Sequence, residues 1–598
     1  MRATPLAAAE SAPPRRVFAR PFLLLTLAWA GLAPVLGVAI GATGSLHGRD
    51  WTTEATFFWA QDLPVILGCI ALTAALGVAA PALRPLAAAF DRPAAIWVAA
   101  LAAVCLVAGV LGGWLAFGGY TLSLDEFLAN FDARIFASGR LFAAVPAAWR
   151  PYAAALQPVY MLDLPSGLWA SSYLPVNAAL RALAGLAGVQ WLLNPALGAF
   201  SVVAVWRIGR RLWPDEPRAA VLAAALLGAS AQLIVMSMTA YAMSAHLAFN
   251  LAWLWLFLRG GRLGHAGAIA VGFLATGLHQ LIFHPIFVAP FILQLWIERR
   301  WRAAALYTLA YAAICGFWVA WWPLVTHAAG VAQPSDDSAV DLDWISDRVS
   351  DAFDALKIGS IGVYAQSVAR FAAWQNPLLA PLLVAAAIPA FLAKGALRAL
   401  ILGVFLTFVA VGVASPTQTH GWGWRYMHGL LGSTAQIGGW AFARWTGRLD
   451  RRAREAALGA FVAACAVSLF VLVPLRIWQA ASYVAPYAAA DAAIRRDPAE
   501  VVVVDHNGET TLFDMGTLVR NDPFLARSPK VMALSMLPAP LVAELCRTHS
   551  VALFNHVSAE SFGIDVVPWR GPRGLMARRA VMAKLGCGRL ILAPTRGR

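Results

Sequence analysis

Charge is scarce in this chain: Asp, Glu, Lys and Arg together make up only 13% of its 598 residues, against 60% hydrophobic residues and a mean hydropathy of +0.66. A water-soluble fold of this length is thereby excluded, and burial in a membrane is the simplest account. Cysteine is scarce too. Of six, Cys69, Cys105, Cys315 and Cys465 sit inside apolar runs, so neither a disulfide framework nor a metal-ligand spacing is present; Cys546 and Cys587 alone are left to pair. Acids are outnumbered 31 to 46 by Lys and Arg, giving a formal charge of +15. The basic residues stand in short clusters between apolar runs, where they mark a membrane face and not a nucleic-acid surface. A phosphate-cradling glycine loop is missing, and the two halves show no convincing repeat of the kind transporters often carry.

What is abundant is apolar sequence in runs of about 20 residues, the length a helix needs to cross a hydrocarbon core of roughly 30 Å. Thirteen such runs are expected, from Phe22 to Ala42 at the start to Ala456 to Leu475 at the end. The fold class predicted is therefore a polytopic α-helical membrane protein with about 13 transmembrane helices and a small C-terminal α/β soluble domain. Residues 1–21 read as a cytoplasmic tail leading into an uncleaved first helix. Alternate loops hold the positive charge, among them Arg15 with Arg16 and Arg20, Arg210 with Arg211, and Arg444 to Arg454. That pattern puts the N-terminus in the cytoplasm and the loops 118–188 and 327–376, with residues 476–598, on the outer side.

Both long outer loops hold segments with helical periodicity that are too charged to span and should lie in the interface. In the first, Leu124, Phe127, Leu128, Phe131 and Ile135 form an apolar stripe, with Asp125 and Asp132 on the polar face. In the second, Ile345, Val349, Phe353 and Leu356 form the stripe. After Leu475 the pattern changes: Val501 to Val504, Val551 to Phe554 and Arg589 to Leu592 read as strands, with helices at Pro540 to Cys546 and Leu575 to Leu585.

Three constellations bear on chemistry. Asp125 and Glu126 stand just past the third span, at the depth where a lipid-linked sugar presents its reactive carbon, and a carboxylate there can take the proton of an attacking hydroxyl. Two acids opening a helix also favour its positive end with no further role. The run from His420 through Trp424, Arg425 and Tyr426 to His428 offers stacking faces and a planar fork matched to phosphate oxygens. Aromatics and a snorkelling Arg also collect at interfaces for solvation alone. His279 and His284 lie where two short apolar segments meet, with His246 near the outer end of its own helix. Ionisable groups at that depth face a cavity by default, although simple polar packing fits as well.

The order of these features resembles the GT-C superfamily of integral-membrane glycosyltransferases, in particular the branch of protein O-mannosyltransferases and lipid A aminoarabinose transferases, over roughly Ala94 to Leu475. Asp125-Glu126 looks like the acidic pair that opens the family's first outer loop, Tyr173-Leu174-Pro175 like its Tyr-Pro element, Arg210-Arg211-Leu212 like the cytoplasmic end of the following helix, and Arg425-Tyr426 like its late Arg-Tyr pair. The resemblance implies Asp125 and Glu126 as catalytic acids, with Asp125 the base. It implies Arg425 at the donor phosphate; with the constellations above, the donor phosphate and sugar site is expected to draw on Arg425, Tyr426, His420, Trp424, His279, His284, Tyr173 and His246. The partners implied are a polyprenyl-phosphate sugar donor, membrane lipid, and a glycan, lipid or protein acceptor, with no nucleic acid. No nucleotide or soluble cofactor is called for, no metal ligand is assigned, and a divalent metal is left open. Two features depart from the family pattern: residues 22–93 add two helices ahead of it, and the stretch Met238 to His246 lacks an acid that many relatives carry. A transporter or flippase for a lipid-linked saccharide is the main alternative, and a non-catalytic scaffold a third.

Overall fold

The computed structural model describes residues 20–41, 53–162, 164, 167–331, 358–414, 418, 421–506, 515–564 and 573–594. His420 and the expected interfacial helix from Ile345 to Leu356 lie outside these residues.

Among the described residues six helices are long and apolar enough to cross a membrane: Phe22–Ile40, Ala55–Asp91, Ala94–Leu115, Gln190–Leu212, Trp301–Val319 and Arg451–Arg496. A seventh is reached if Pro217–Gly228 and Ala231–Ser237, bent by 56° at a short break, count as one. Side chains such as Leu115 and Phe470, 82% and 79% exposed, lie along these helices and make sense only against lipid. Other apolar helices are shorter: Phe283–Ile297 and Leu379–Leu392 span 15 and 14 residues. The count supported by length and composition is therefore six or seven, where the sequence suggested thirteen.

Between helices, small residues allow close approach, as packing in a bilayer requires. A Cβ added at Gly439 would come within 2.6 Å of the Ala219 carbonyl and the Ala223 amide. The helix Leu431–Gly447 thus lies directly on Pro217–Gly228.

The last apolar helix runs for 46 residues, roughly 70 Å at 1.5 Å per residue and about twice a bilayer core. Its second half leads to a four-stranded parallel sheet in the order Lys530–Ala533, Val501–Val504, Val551–Phe554, Arg589–Leu590. The helix Ala539–Thr548 precedes the strand Val551–Phe554, and His556–Phe562 and Arg573–Lys584 both lie between that strand and Arg589–Leu590. The strand Lys530–Ala533 had no signature of its own: four residues, one of them Lys, between a Ser-Pro pair and a short turn. Cys546 and Cys587 form a disulfide beside this sheet.

One buried cluster joins the stretch around the helix Leu124–Ala137 to this sheet. Phe131, Ile135 and Trp169 share it with Val503, Met532 and Leu534. The Trp169 indole donates to the Pro523 carbonyl at 2.7 Å, and the Asn521 amide to the Leu156 carbonyl at 2.9 Å. Arg520 donates to the Leu122 carbonyl at 2.6 Å and lies 4.4 Å over the Tyr120 ring. Replacing Arg520 by Ala removes a buried charge-assisted bond and a cation–ring contact, about 2–4 kcal/mol together. Limited proteolysis is expected to release the C-terminal unit from that variant faster than from the native chain.

Candidate functional site

The helix Leu124–Ala137 begins with a reciprocal cap. Ser123 accepts from the Asp125 amide at 3.1 Å, and Glu126 accepts from the Ser123 amide at 3.2 Å. The other Glu126 oxygen accepts from the Ala240 amide at 2.9 Å, so this carboxylate ties the helix start to the break before Met243–Arg259. Glu126 therefore has its oxygens on backbone amides, a holding arrangement.

Burial raises the Glu126 carboxyl from its ordinary 4.5 to about 7, against the lowering effect of its two amide donors. A raised folded-state value contributes stability that is complete below the ordinary value and is lost as pH climbs through about 7. Thermal unfolding of the native chain is thus expected to fall several degrees between about pH 5 and about pH 8. In Glu126→Gln that slope should be visibly flatter.

The two acids placed on the polar face of this helix are both buried. Asp125 is 8% exposed and Asp132 2%. Ser171 and Tyr173, just past the strand Leu168–Trp169, bring donors to both: Asp132 accepts from the Ser171 hydroxyl and, at 3.1 Å, from the Ser171 amide. Burial still pushes Asp132 up to about 6.

Asp125 is the meeting point of the site. Its Oδ1 accepts from the Tyr173 hydroxyl at 2.5 Å, and its Oδ2 accepts from Arg425 Nη1 at 2.6 Å. His279 Nε2 stands 4.0 Å from the same Oδ2, with its ring stacked 4.1 Å from that of Tyr173. Burial holds the Tyr173 hydroxyl well above its usual range, and the neighbouring Asp125 charge adds to this, so it stays a donor. Burial also drives His279 down to about 4, leaving it neutral. Arg425 continues the chain of contacts through Nη2 to the Tyr426 hydroxyl at 3.2 Å, with the Tyr241 and Tyr426 rings 5.5 and 5.0 Å from its guanidinium carbon.

The turn that carries Arg425 is held from every side. Gln418 accepts from the Arg425 amide and donates to the Gly423 carbonyl, both at 2.9 Å. Gln232, just past the bent break, donates to the Trp424 carbonyl at 2.8 Å and is itself held by Gln375 at 2.7 Å. Gly423 has φ +67°, and a Cβ there would collide with the Gln232 amide, so only glycine serves.

Asp125, Tyr173, His279 and the adjacent Arg425 and Tyr426 are thus brought together from four separate stretches of chain. His246 lies one layer away, across Phe283, and with Asn250, Thr407 and Tyr426 lines a cavity of about 10 Å³, room for roughly one water. His284 is not part of the group: it bonds Asn250 at 2.7 Å and the Tyr311 hydroxyl at 2.8 Å inside the helical core. Trp424 is fully buried with its ring against Tyr364 and Phe408, so it contributes through its backbone. Sequence reasoning missed Tyr241, Gln232 and Gln418. Isolated polar residues in apolar runs were their only signal.

Several buried polar atoms around this point lack a hydrogen-bond partner: Arg425 Nε, both ring nitrogens of His279, His246 and His428, and Thr407 Oγ1. Orphaned groups of this kind cost free energy unless a ligand or water meets them. Among the described residues no group of three or more His, Cys, Asp or Glu is placed to hold a metal ion.

No protein family matches the chain by sequence, and no curated protein does either. Two solved structures of ArnT from Cupriavidus metallidurans are similar to it, each match covering 83% of this chain and 90% of the other. The structure bound to undecaprenyl phosphate has a TM-score of 0.46 at 14% identity, and the apo structure 0.43 at 12%.

Proposed function

We propose that this chain is an inverting membrane glycosyltransferase that moves one sugar from a polyprenyl-phosphate donor to a glycan, lipid or protein acceptor. The observation that carries the reading is the buried Asp125–Arg425 pair, 2.6 Å apart, in which Arg425 Nε has no partner. An oxyanion reaching this point finds an unused N–H on a fixed planar fork, with the Tyr426 hydroxyl beside it.

With no donor bound, the two charges neutralise each other. A donor phosphate competes for Arg425 and draws the guanidinium toward itself, which leaves Asp125 Oδ2 free to accept a proton. Asp125 then takes the proton of the acceptor hydroxyl as that oxygen bonds to the anomeric carbon. The bond from that carbon to the phosphate oxygen breaks, and the electron pair leaves with the polyprenyl phosphate, whose added charge Arg425 balances. Tyr173 keeps Asp125 oriented throughout, because its hydroxyl stays protonated.

The setting supports a bacterial inner membrane, with the N-terminus cytoplasmic and residues 476–598 periplasmic. The C-terminal sheet shares a core with loop 118–188, so both belong on one side. The Cys546–Cys587 disulfide suits an oxidising compartment there.

The test is purified protein in lipid nanodiscs with a radiolabelled undecaprenyl-phosphate sugar and a panel of envelope acceptors. Label moving to an acceptor, with release of undecaprenyl phosphate, is the expected result. Label crossing a vesicle wall on an intact donor would overturn the transferase in favour of a transporter.

A further inference from the structure

A second buried charge cluster lies outside the group around Asp125. Asp62 sits in a π turn at the foot of the second long helix, Ala55–Asp91, and is 1% exposed. It meets two arginines: Arg370 Nη1 at 3.1 Å from its Oδ2, and Arg476 Nη2 at 3.0 Å from its Oδ1. The Trp374 indole also donates to Oδ1, at 3.1 Å. Arg370 is itself 1% exposed and held between rings, 4.3 Å from Phe57 and 5.1 Å from Trp374.

The rest of the Arg370 fork is directed at the turn carrying Arg425. Its Nη2 donates to the Gly421 carbonyl at 3.0 Å and its Nε to the Gly423 carbonyl at 3.2 Å. One guanidinium therefore links the carboxylate of Asp62 to the carbonyls on both sides of Trp422, within four residues of Arg425. Burying two arginines against one carboxylate leaves a surplus positive charge, which an ordinary core would not retain. Here the surplus has an evident use: it grips backbone carbonyls with charge-assisted bonds, stronger than neutral ones.

We infer that Asp62 and Arg370 are positioning residues for Arg425, so that the second long helix, outside the part resembling GT-C transferases, is a working part of the phosphate site. The consequence for binding rests on the proposed role of Arg425; the hold on the turn does not.

The charge count supplies the variants. Arg370→Gln leaves a balanced Asp62–Arg476 pair but removes the Arg370 donors from the Gly421 and Gly423 carbonyls, the second keeping only Gln418. Arg476→Gln leaves a balanced Asp62–Arg370 pair with the grip intact. Hydrogen exchange of the full chain in nanodiscs is expected to speed up about tenfold or more at residues 421–427 in Arg370→Gln, and by less than about twofold in Arg476→Gln. Arg370→Lys keeps the charge and the tie to Asp62 yet cannot span both carbonyls, so it should loosen the same residues even if the Gln variant accumulates poorly.

Titration with undecaprenyl phosphate supplies the second readout. Arg370→Gln should weaken binding about tenfold, and adding it to Arg425→Gln should change affinity by no more than about twofold, because both act through one side chain. Unchanged exchange at 421–427 in both Arg370 variants, or equal loosening in Arg476→Gln, would overturn the positioning role. Loosened exchange in a chain whose native form takes up no undecaprenyl phosphate would leave the clamp standing and sink the reading of the site.

Discussion

Replacing Asp125 by Asn is expected to lower sugar transfer roughly 10²–10⁴-fold, the range that a positioned general base contributes. The amide keeps an oxygen for the Tyr173 hydroxyl, at 2.5 Å in the native chain, so the local frame survives. What it loses is the capacity to take a proton and the charge opposite Arg425. An uncompensated buried guanidinium is destabilising, so membrane abundance must be read beside activity. The measurement is initial transfer rate per folded molecule at saturating donor. If Arg425 is released by donor phosphate as proposed, binding of undecaprenyl phosphate should be undiminished in this variant, or tightened, since its competitor for the guanidinium has lost its charge. Full activity in Asp125→Asn would remove the base assignment outright.

The second large effect is expected at Arg425. Arg425→Gln should weaken binding of undecaprenyl phosphate about 10²-fold, near 3 kcal/mol, the scale of a desolvated charge-assisted contact. Arg425→Lys is the more informative change. It keeps a positive charge opposite Asp125 but replaces a fork of several N–H groups with a single ammonium. Lysine should therefore recover much of the stability and little of the affinity. Equilibrium binding of the lipid phosphate, followed through the many tryptophans, separates the two. Equal affinity in Arg425→Lys would mean that the site needs charge alone and that the unpaired Nε is incidental.

How much of this was legible in the sequence differs from residue to residue. The broad apolar runs showed as composition, because a helix in hydrocarbon must be apolar along its whole length. Their number did not. Pro217–Gly228 and Ala231–Ser237 form one hydrophobic stretch in sequence, and the 56° bend between them follows from Ser230 capping a new helix. Asp125 and Arg425 stood out as charges at the ends of apolar runs, and the fold brings them within 2.6 Å across 300 residues of sequence. The inward turn of Asp125 and Asp132 was hidden, because periodicity says which residues share a face and not what will cover it. The donors that cover them, Ser171 and Tyr173, come from an irregular stretch without periodic signal. Asp62, Arg370 and Arg476 were harder still: each is a lone charge in a different segment, and only the packed helices reveal that they meet.

The core shared by the first outer loop and the C-terminal sheet also sets a timetable. Trp169 leaves the ribosome 354 residues ahead of Pro523, the carbonyl it donates to, a delay of roughly 20–70 s at ordinary rates of synthesis. Throughout that interval the apolar face of Leu124–Ala137 has no partner from the sheet, and the segment bearing Asp125 lacks its outer support. In the transferase proposed above, a nascent chain already in the bilayer would thus hold an unfinished site until its last strands had folded.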